Sequence, residues 1–355
     1  MNNTTIGHLH CGCPCFIIPA KVLRKFSRDK NLSPDERKSF ADAAKFESEW
    51  RKARRARVRF SLAAQNILPR GLTIMPFAPP AVKIFDCQNR NTIPGVAVAN
   101  PGGSADQTCK RVFIETSAVA DFYRAVFGRN SIDGEGMAMI SSIHYSLNYK
   151  NAFWNGSQMT YGDGDGEIFI DFTKGNDVIA HELTHGVTQY ALGLNYQNEA
   201  GGLNESVSDV FGSMFRQWRA GEDVSQADWL IGKDIMGPGA VSRGYSCLRD
   251  MSNPGATHCL APQPDNFSQY RNGMDPHESS GIPNFAFYKA AMAIGGNSWE
   301  ITGRIWYKAI TDFGPSPNMR MKQFADLTRQ LAESLYNGQH EIKEAVEAAW
   351  QAVGL

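Results

Sequence analysis

The sequence predicts an α+β chain of two lobes behind a short basic helical segment. Three observations carry this. Between about residues 82 and 173, apolar runs such as VKIFD, GVAVAN, MAMISSIHYSL and QMTYGDGDGEIFIDF alternate with Gly, Asn and Asp turns, the pattern of short strands. After residue 176 the apolar spacing becomes helical almost to the end. Ahead of both, Ser33-Pro34 opens a charged stretch with helical spacing, Pro in the first turn and acids beside it.

Charge separates the front from the body. The 355 residues hold 36 Lys/Arg and 36 Asp/Glu, a net charge of zero. Residues 21–60 carry 14 basic and 6 acidic groups and residues 1–20 carry neither, which leaves a mildly acidic body of 22 basic and 30 acidic groups. A balanced total argues against a nucleic-acid partner. No run reaches the ~18 apolar residues of a membrane span, so no membrane partner is expected either. The start MNNTTIGHLHCGCPCFIIPA lacks the basic and apolar regions of a signal peptide. A basic helical stretch reads either as a solvated face or as a segment docked on an acidic surface of the same chain.

Taken in order, PDERKSFADAAKFESEWRKARRARVRF (34–60) reads as one helix that fades by residue 66. Four prolines in residues 67–82 read as an extended linker. One helix interrupts the strand region near residues 116–128, and GDGDG (162–166) reads as a hairpin turn, since the remainder of a calcium-loop spacing is missing. Helices then follow over NDVIAHELTHGVTQYAL, over GGLNESVSDVFGSMFRQWRA, and near 281–293, 297–312, 320–336 and 340–352. Seven cysteines leave at least one thiol unpaired within the chain; Cys87 with Cys109 and Cys247 with Cys259 are spaced for local pairs, without the spacing establishing either.

The chemistry concentrates in His181-Glu182-Leu183-Thr184-His185. Residues four apart share a helix face, so both imidazoles can reach one zinc ion, with Glu182 beside them as a base. Glu205 in NESVSD, twenty residues past His185, offers an anionic third ligand. Asp209 lies four residues further on the same face, where it can orient a ligand histidine. Three protein ligands would leave zinc one open position.

NAFWNG (151–156), YGDGDG (161–166), DVIAHELTHGVT (177–188), NYQNEAGGLNESVSD (195–209), LRDMSNP (248–254) and SSGIPNFAFY (279–288) follow one another as in the thermolysin family of zinc endopeptidases. The resemblance covers most of residues 82–350, and CFIIP (15–19) with the following LRK resembles the propeptide of its protealysin-like branch, with Ala20 where that branch has a second Pro. It implies a two-lobed zincin fold: propeptide 1–66, a β-rich N-terminal lobe 67–176, and an α-helical C-terminal lobe 177–355 with the active-site helix between the lobes. It implies a zinc-dependent endopeptidase, made as a self-inhibited precursor, that cuts proteins and peptides before bulky apolar residues, with Leu248 and Val178 suited to that pocket. The rival reading is a non-catalytic zinc-stabilised binding or regulatory protein.

By the same resemblance His181, His185 and Glu205 bind zinc, Glu182 is the general base, and His277 and Tyr196 stabilise the oxyanion. Asp209 and Asn204 support the ligands, while Asn151, Ala152 and Arg249 hold substrate. Cys15, or else Cys13 or Cys11, is a candidate inhibitory thiol for the zinc, with the propeptide acting in cis. Secretion is implied, with a cytoplasmic location as the alternative. Two departures stand out. The aspartate expected five residues before His277 is Asn272, with Asp275 as a substitute. Of the family's double calcium site, Asp177 and Asp228 remain, but Arg216, Leu230 and Lys233 stand at other acidic positions, so the site is expected to be lost and its space filled by the cations.

Overall fold

A computed structural model describes residues 15–61 and 78–355 of the chain. The N-terminal segment gives β1 (Cys15–Phe16), α1 (Ala20–Ser27) and α2 (Pro34–Ser61). The next region holds β2 (Val82–Asp86), β3 (Val96–Ala97), α3 (Gln107–Phe127), β4 (Met139–Ile143), β5 (Ala152–Trp154) and β6 (Met159–Tyr161). Then come α4 (Asn176–Tyr190), α5 (Asn198–Ala220), β7 (Leu230–Ile231), α6 (Pro238–Ser242) and β8 (Arg249–Asp250). The chain finishes with α7 (Pro276–Ser279), α8 (Gly281–Ile294), α9 (Ile301–Thr311), α10 (Met321–Leu335) and α11 (His340–Ala352). The four C-terminal helices fall where the apolar spacing put them. Cys11, Cys13 and residues 67–77 of the proline-rich linker lie outside the described residues, as do the side chains of the Arg-rich end of α2, while the last linker residue, Val82, already belongs to β2.

The six-stranded sheet runs β1-β5-β6-β4-β2-β3. β2, β4 and β6 are parallel to their neighbours among themselves, while β3, β5 and β1 pair antiparallel. The N-terminal segment therefore supplies the edge strand, with Cys15 opposite Trp154 and Phe16 opposite Phe153. Its attachment is mainly apolar. Ile17, Ile18, Leu23, Phe26, Leu32 and Phe40 are buried in the same core as the body, and Phe26 packs 5.1 Å from Phe40 and 6.5 Å from Phe169, ring to ring. Burying such side chains stabilises by about 1.5–3 kcal/mol each. That exceeds what an exposed pair such as Lys21–Glu278 contributes.

Two local expectations are corrected. The interrupting helix, placed at 116–128, starts at Gln107, because Asp106 caps it by accepting from the amides of Thr108 and Cys109. It ends at Gly128, whose φ of 68° suits glycine. The GDGDG segment is a turn closed on itself rather than a two-stranded hairpin: Asp165 Oδ1 accepts from the amides of Glu167, Ile168 and Phe169. Cys87, Cys109, Cys247 and Cys259 are free thiols, so neither local pair is made in this structure.

His144, just beyond β4, ties the start of α3 to the GDGDG loop. Nε2 lies 2.8 Å from Asp106 and Nδ1 2.9 Å from Asp163. The bond to Asp163, and then Asp106, overcome burial and raise its pKa from 6.5 to about 9. A raised folded-state pKa gives stability that is complete below about 6.5 and lost as pH rises through about 9. The group is partly solvated, so the effect is about 1 kcal/mol, roughly 2–4 °C in Tm. We expect a Tm drop of that size between pH 6.5 and 10 beyond that of His144→Gln; parallel curves for the two proteins would reject it.

Candidate active site

Helices α4 and α5 cross closely enough to bring two separated motifs together. Gly212 permits this, since a Cβ there would stand 2.8 Å from the Asp177 carbonyl oxygen and 3.4 Å from the His181 amide nitrogen. His181, Glu182 and His185 on α4 and Glu205 and Asp209 on α5 are all buried. His181, His185 and Glu205 form a cluster able to hold a metal ion.

Close polar contacts at Nδ1 orient both histidines. His181 Nδ1 lies 2.8 Å from Asp209 Oδ1, an acceptor. His185 Nδ1 lies 2.8 Å from Asn204 Oδ1, and that amide is oriented by its own Nδ2 donating to the Leu194 carbonyl at 3.1 Å. Ser208 Oγ adds a contact to His185 Nδ1 at 3.0 Å. With Nδ1 of each ring turned to these groups, Nε2 is the nitrogen that faces a metal. Those two Nε2 atoms stand 3.1 Å apart, and each has a Glu205 carboxylate oxygen at 3.5 Å. Such a donor set repels itself unless a cation sits among its members. Two imidazoles and a carboxylate suit zinc.

Asp209 is anchored from the other side. Arg249, fully buried, donates Nε to Asp209 Oδ2 at 2.8 Å and Nη2 to Oδ1 at 2.7 Å, and Asn284 Nδ2 donates to Oδ2 at 2.9 Å. Burial works against the charge, but Arg249 and then His181 hold the Asp209 carboxyl at about 2. Glu182 sits under the opposite wall, its Oε2 accepting from the Trp154 amide at 3.0 Å. Burial pushes its carboxyl well above the usual range, with His181 opposing.

On the far side of the cleft, the Tyr196 hydroxyl donates to Glu205 and lies 3.2 Å from His277 Nε2. His277 Nδ1 is 2.8 Å from Asp275 Oδ1, so Asp275 takes the place that Asn272 cannot fill. Nε2 faces the backbone carbonyl of Phe16. The ring is thus held between a carboxylate at one nitrogen and a backbone carbonyl at the other.

The N-terminal segment fills the groove. Ile17 N donates to the Ala152 carbonyl at 3.2 Å, and Asn151 accepts from Ile18 N at 3.0 Å while donating to its carbonyl at 3.1 Å. Arg249 Nη1 reaches the Ile17 carbonyl at 3.3 Å. The three residues expected to hold substrate thus hold this chain's own backbone. Cys15 is buried on β1, and the ligand cluster at the cleft consists of His181, His185 and Glu205. The sequence reading missed Asn284, Ser208 and the Trp154 amide. Asn284 lies inside the quoted SSGIPNFAFY, but its partner on α5 is set only by packing.

A buried His-His-carboxylate cluster with a second carboxylate beside it, on a helix behind a sheet edge, defines a metallopeptidase-type site. Residues 81–189 match the family model of the thermolysin metallopeptidase catalytic domain, and residues 192–355 that of its alpha-helical domain. The chain is 42% identical over 283 residues to an extracellular metalloprotease of Pectobacterium carotovorum subsp. carotovorum, covering 77% of this chain and 80% of that one. A thermolysin of Alicyclobacillus acidocaldarius is 36% identical over 76% of this chain, which spans 50% of that longer protein. Among solved structures, the precursor of protealysin, a metalloproteinase from Serratia proteamaculans, superposes with a TM-score of 0.81 at 34% identity, covering 96% of this chain and 99% of that one. The chain belongs to the thermolysin family and is a zinc metalloendopeptidase.

Proposed function

We propose that this chain is the self-inhibited precursor of an exported endopeptidase, with residues 1–66 as its propeptide and 67–176 and 177–355 as its catalytic lobes. The observation that carries the proposal is the extended segment 15–18, which pairs antiparallel with β5 and engages Asn151, Ala152, Arg249 and His277. A substrate strand laid on the same edge would meet the same groups. The buried Leu248 and Val178 are suited to lining a pocket for a bulky apolar residue after the scissile bond.

His181, His185 and Glu205 would hold zinc, and Asn204 and Asp209 orient the two imidazoles. When bound, zinc supplies a Lewis-acid centre that polarises a carbonyl and acidifies water. Asn151, Ala152 and Arg249 hold the substrate backbone in register. Glu182 takes a proton from the attacking water and delivers it to the leaving amine. His277 and Tyr196 donate where charge develops on the scissile carbonyl, and Asp275, 2.8 Å from His277 Nδ1, holds that ring in place.

Casein cleavage is the direct test. The chain freed of residues 1–66 should digest casein, lose that activity to a zinc chelator and regain it with added zinc, while the intact chain stays at least about tenfold slower. A processed, zinc-loaded chain without activity would favour the non-catalytic reading. Cys15→Ser in the intact chain separates two modes of silence. Release of activity assigns the thiol a role; continued silence leaves the backbone of residues 15–18 as the block. Export rests on the name of the extracellular relative, and detection of the processed chain outside the cell would test it.

The calcium expectation belongs to the same proposal. Arg216 Nη1 lies 2.8 Å from Asp234 and 3.8 Å from the buried Asp177, its Nη2 lies 3.6 Å from Asp228, and Lys233 Nζ is 3.0 Å from Asp228. Two fixed cations thus neutralise acids that would otherwise ask for a divalent ion; Asp234 was not singled out in the sequence. A site saturated a hundredfold adds about 2.7 kcal/mol, or roughly 5–10 °C here. Chelating calcium with EGTA should move Tm by less than about 2 °C; a shift of the larger size would show that calcium is bound.

A further inference from the structure

Away from the cleft, the described residues contain a second group of metal-ligating side chains: Cys247, His258 and Cys259. The backbone presets it. After β8, Asp250 Oδ1 accepts from the amides of Ser252 and Asn253 and turns the chain back. The returning segment is pinned where Ser246 N donates to the His258 carbonyl at 3.0 Å and Leu260 N to the Cys247 carbonyl at 2.9 Å. Both thiols end fully buried, with their sulfurs 3.7 Å apart. A nitrogen of the His258 ring lies within 4.8 Å of both.

That sulfur separation is informative. Two thiolates on a tetrahedral zinc at about 2.3 Å stand roughly 3.8 Å apart. A disulfide needs about 2.05 Å, so the sulfurs would have to close by well over an ångström within a pinned turn. The imidazole is already oriented: His258 Nε2 lies 3.2 Å from Asp250 Oδ2, the carboxylate–histidine pairing typical beside metal ligands. The His258 side chain is 41% exposed, which leaves the cluster a side open to solvent.

We propose that Cys247, Cys259 and His258 bind a second zinc ion as a structural clip, separate from the catalytic cluster. Binding forms two zinc–sulfur bonds and one zinc–nitrogen bond and releases the two thiol protons to solvent; nothing is oxidised or reduced. Water from the open side completes the coordination. Cys247 is two residues from Arg249, so the clip stiffens the strand whose guanidinium anchors Asp209.

The test is metal content with cobalt spectroscopy on the full chain, in a background with Cys11, Cys13 and Cys15 replaced by Ser to remove the N-terminal thiols. The expected result is about two zinc ions per chain, falling to about one in Cys247→Ser/Cys259→Ser, with a sulfur-to-cobalt charge-transfer band lost in that variant. His258→Ala, whose half-exposed side chain keeps the fold out of question, should weaken the second zinc about tenfold or more. If the double variant fails to fold, unchanged zinc content and cobalt spectrum in His258→Ala overturn the proposal. One zinc per chain in the background protein also overturns it. A shortfall of two titratable thiols in the denatured, unreduced chain would then identify a disulfide instead.

Discussion

Glu182→Gln in the processed chain should lose about a thousandfold or more in kcat while its zinc content is unchanged. Glutamine has the same shape and retains an oxygen that can accept from the Trp154 amide, so the wall of the cleft is preserved. It cannot take a proton from water or return one to the leaving amine. Asn151, Ala152 and Arg249 are untouched, so KM should stay within a few fold and the loss should appear in kcat. Stability should move the other way. Glu182 is fully buried, and burying a carboxylate is costly, so the neutral amide should keep or raise Tm. Turnover within tenfold of the unmodified chain would remove Glu182 from the mechanism. A fall in zinc content would instead reassign it as support for the metal site.

The second large effect belongs to Arg249. Arg249→Leu removes the fork that meets both Asp209 oxygens and leaves a buried carboxylate shared between His181 and Asn284. Breaking a buried ion pair from one side costs about 3–5 kcal/mol, on the order of 10 °C in Tm for a chain of this size. Because Asp209 orients His181, zinc affinity should fall about 10–100-fold as well. The double variant Arg249→Leu/Asp209→Asn leaves no uncompensated charge and should recover part of the stability, though not the zinc affinity. If it is no more stable than Arg249→Leu, the ion pair is not the reason for the loss. Arg249→Lys supplies a charge without the planar fork and should fall between the two extremes.

Most of the metal cluster was legible because it lies on two helices whose spacing is local. His181 and His185 are four residues apart, as are Glu205 and Asp209, and a period of 3.6 puts each pair on one face whatever surrounds it. The same periodicity located the C-terminal helices. It did not find the start of α3, because an Asp106 cap is a hydrogen-bond event outside the apolar pattern. Asp275 could be named as a substitute for Asn272 only as an option; its bond to His277 depends on how a short loop turns before α7. Arg216 was read from the sequence as a cation in a calcium position. That it meets Asp234 as well as Asp177 and Asp228 came from the packing of α5 against the loop before α6.

Residue identity and spacing by themselves determined which chemical groups this protein brings together: a His-His-carboxylate set with a neighbouring carboxylate, and a basic front end of separate character. Charge alone suggested that this front end would either face water or sit on an acidic surface. Tertiary structure decided that it joins the apolar core and lays residues 15–18 along β5 in the groove. It also decided that Arg249 holds Asp209 and that Cys247 meets Cys259. The reason is one of range. Helical periodicity relates residues within a few positions, whereas Ile18 and Asn151, or Phe16 and His277, meet only after burial of apolar surface has drawn distant segments together.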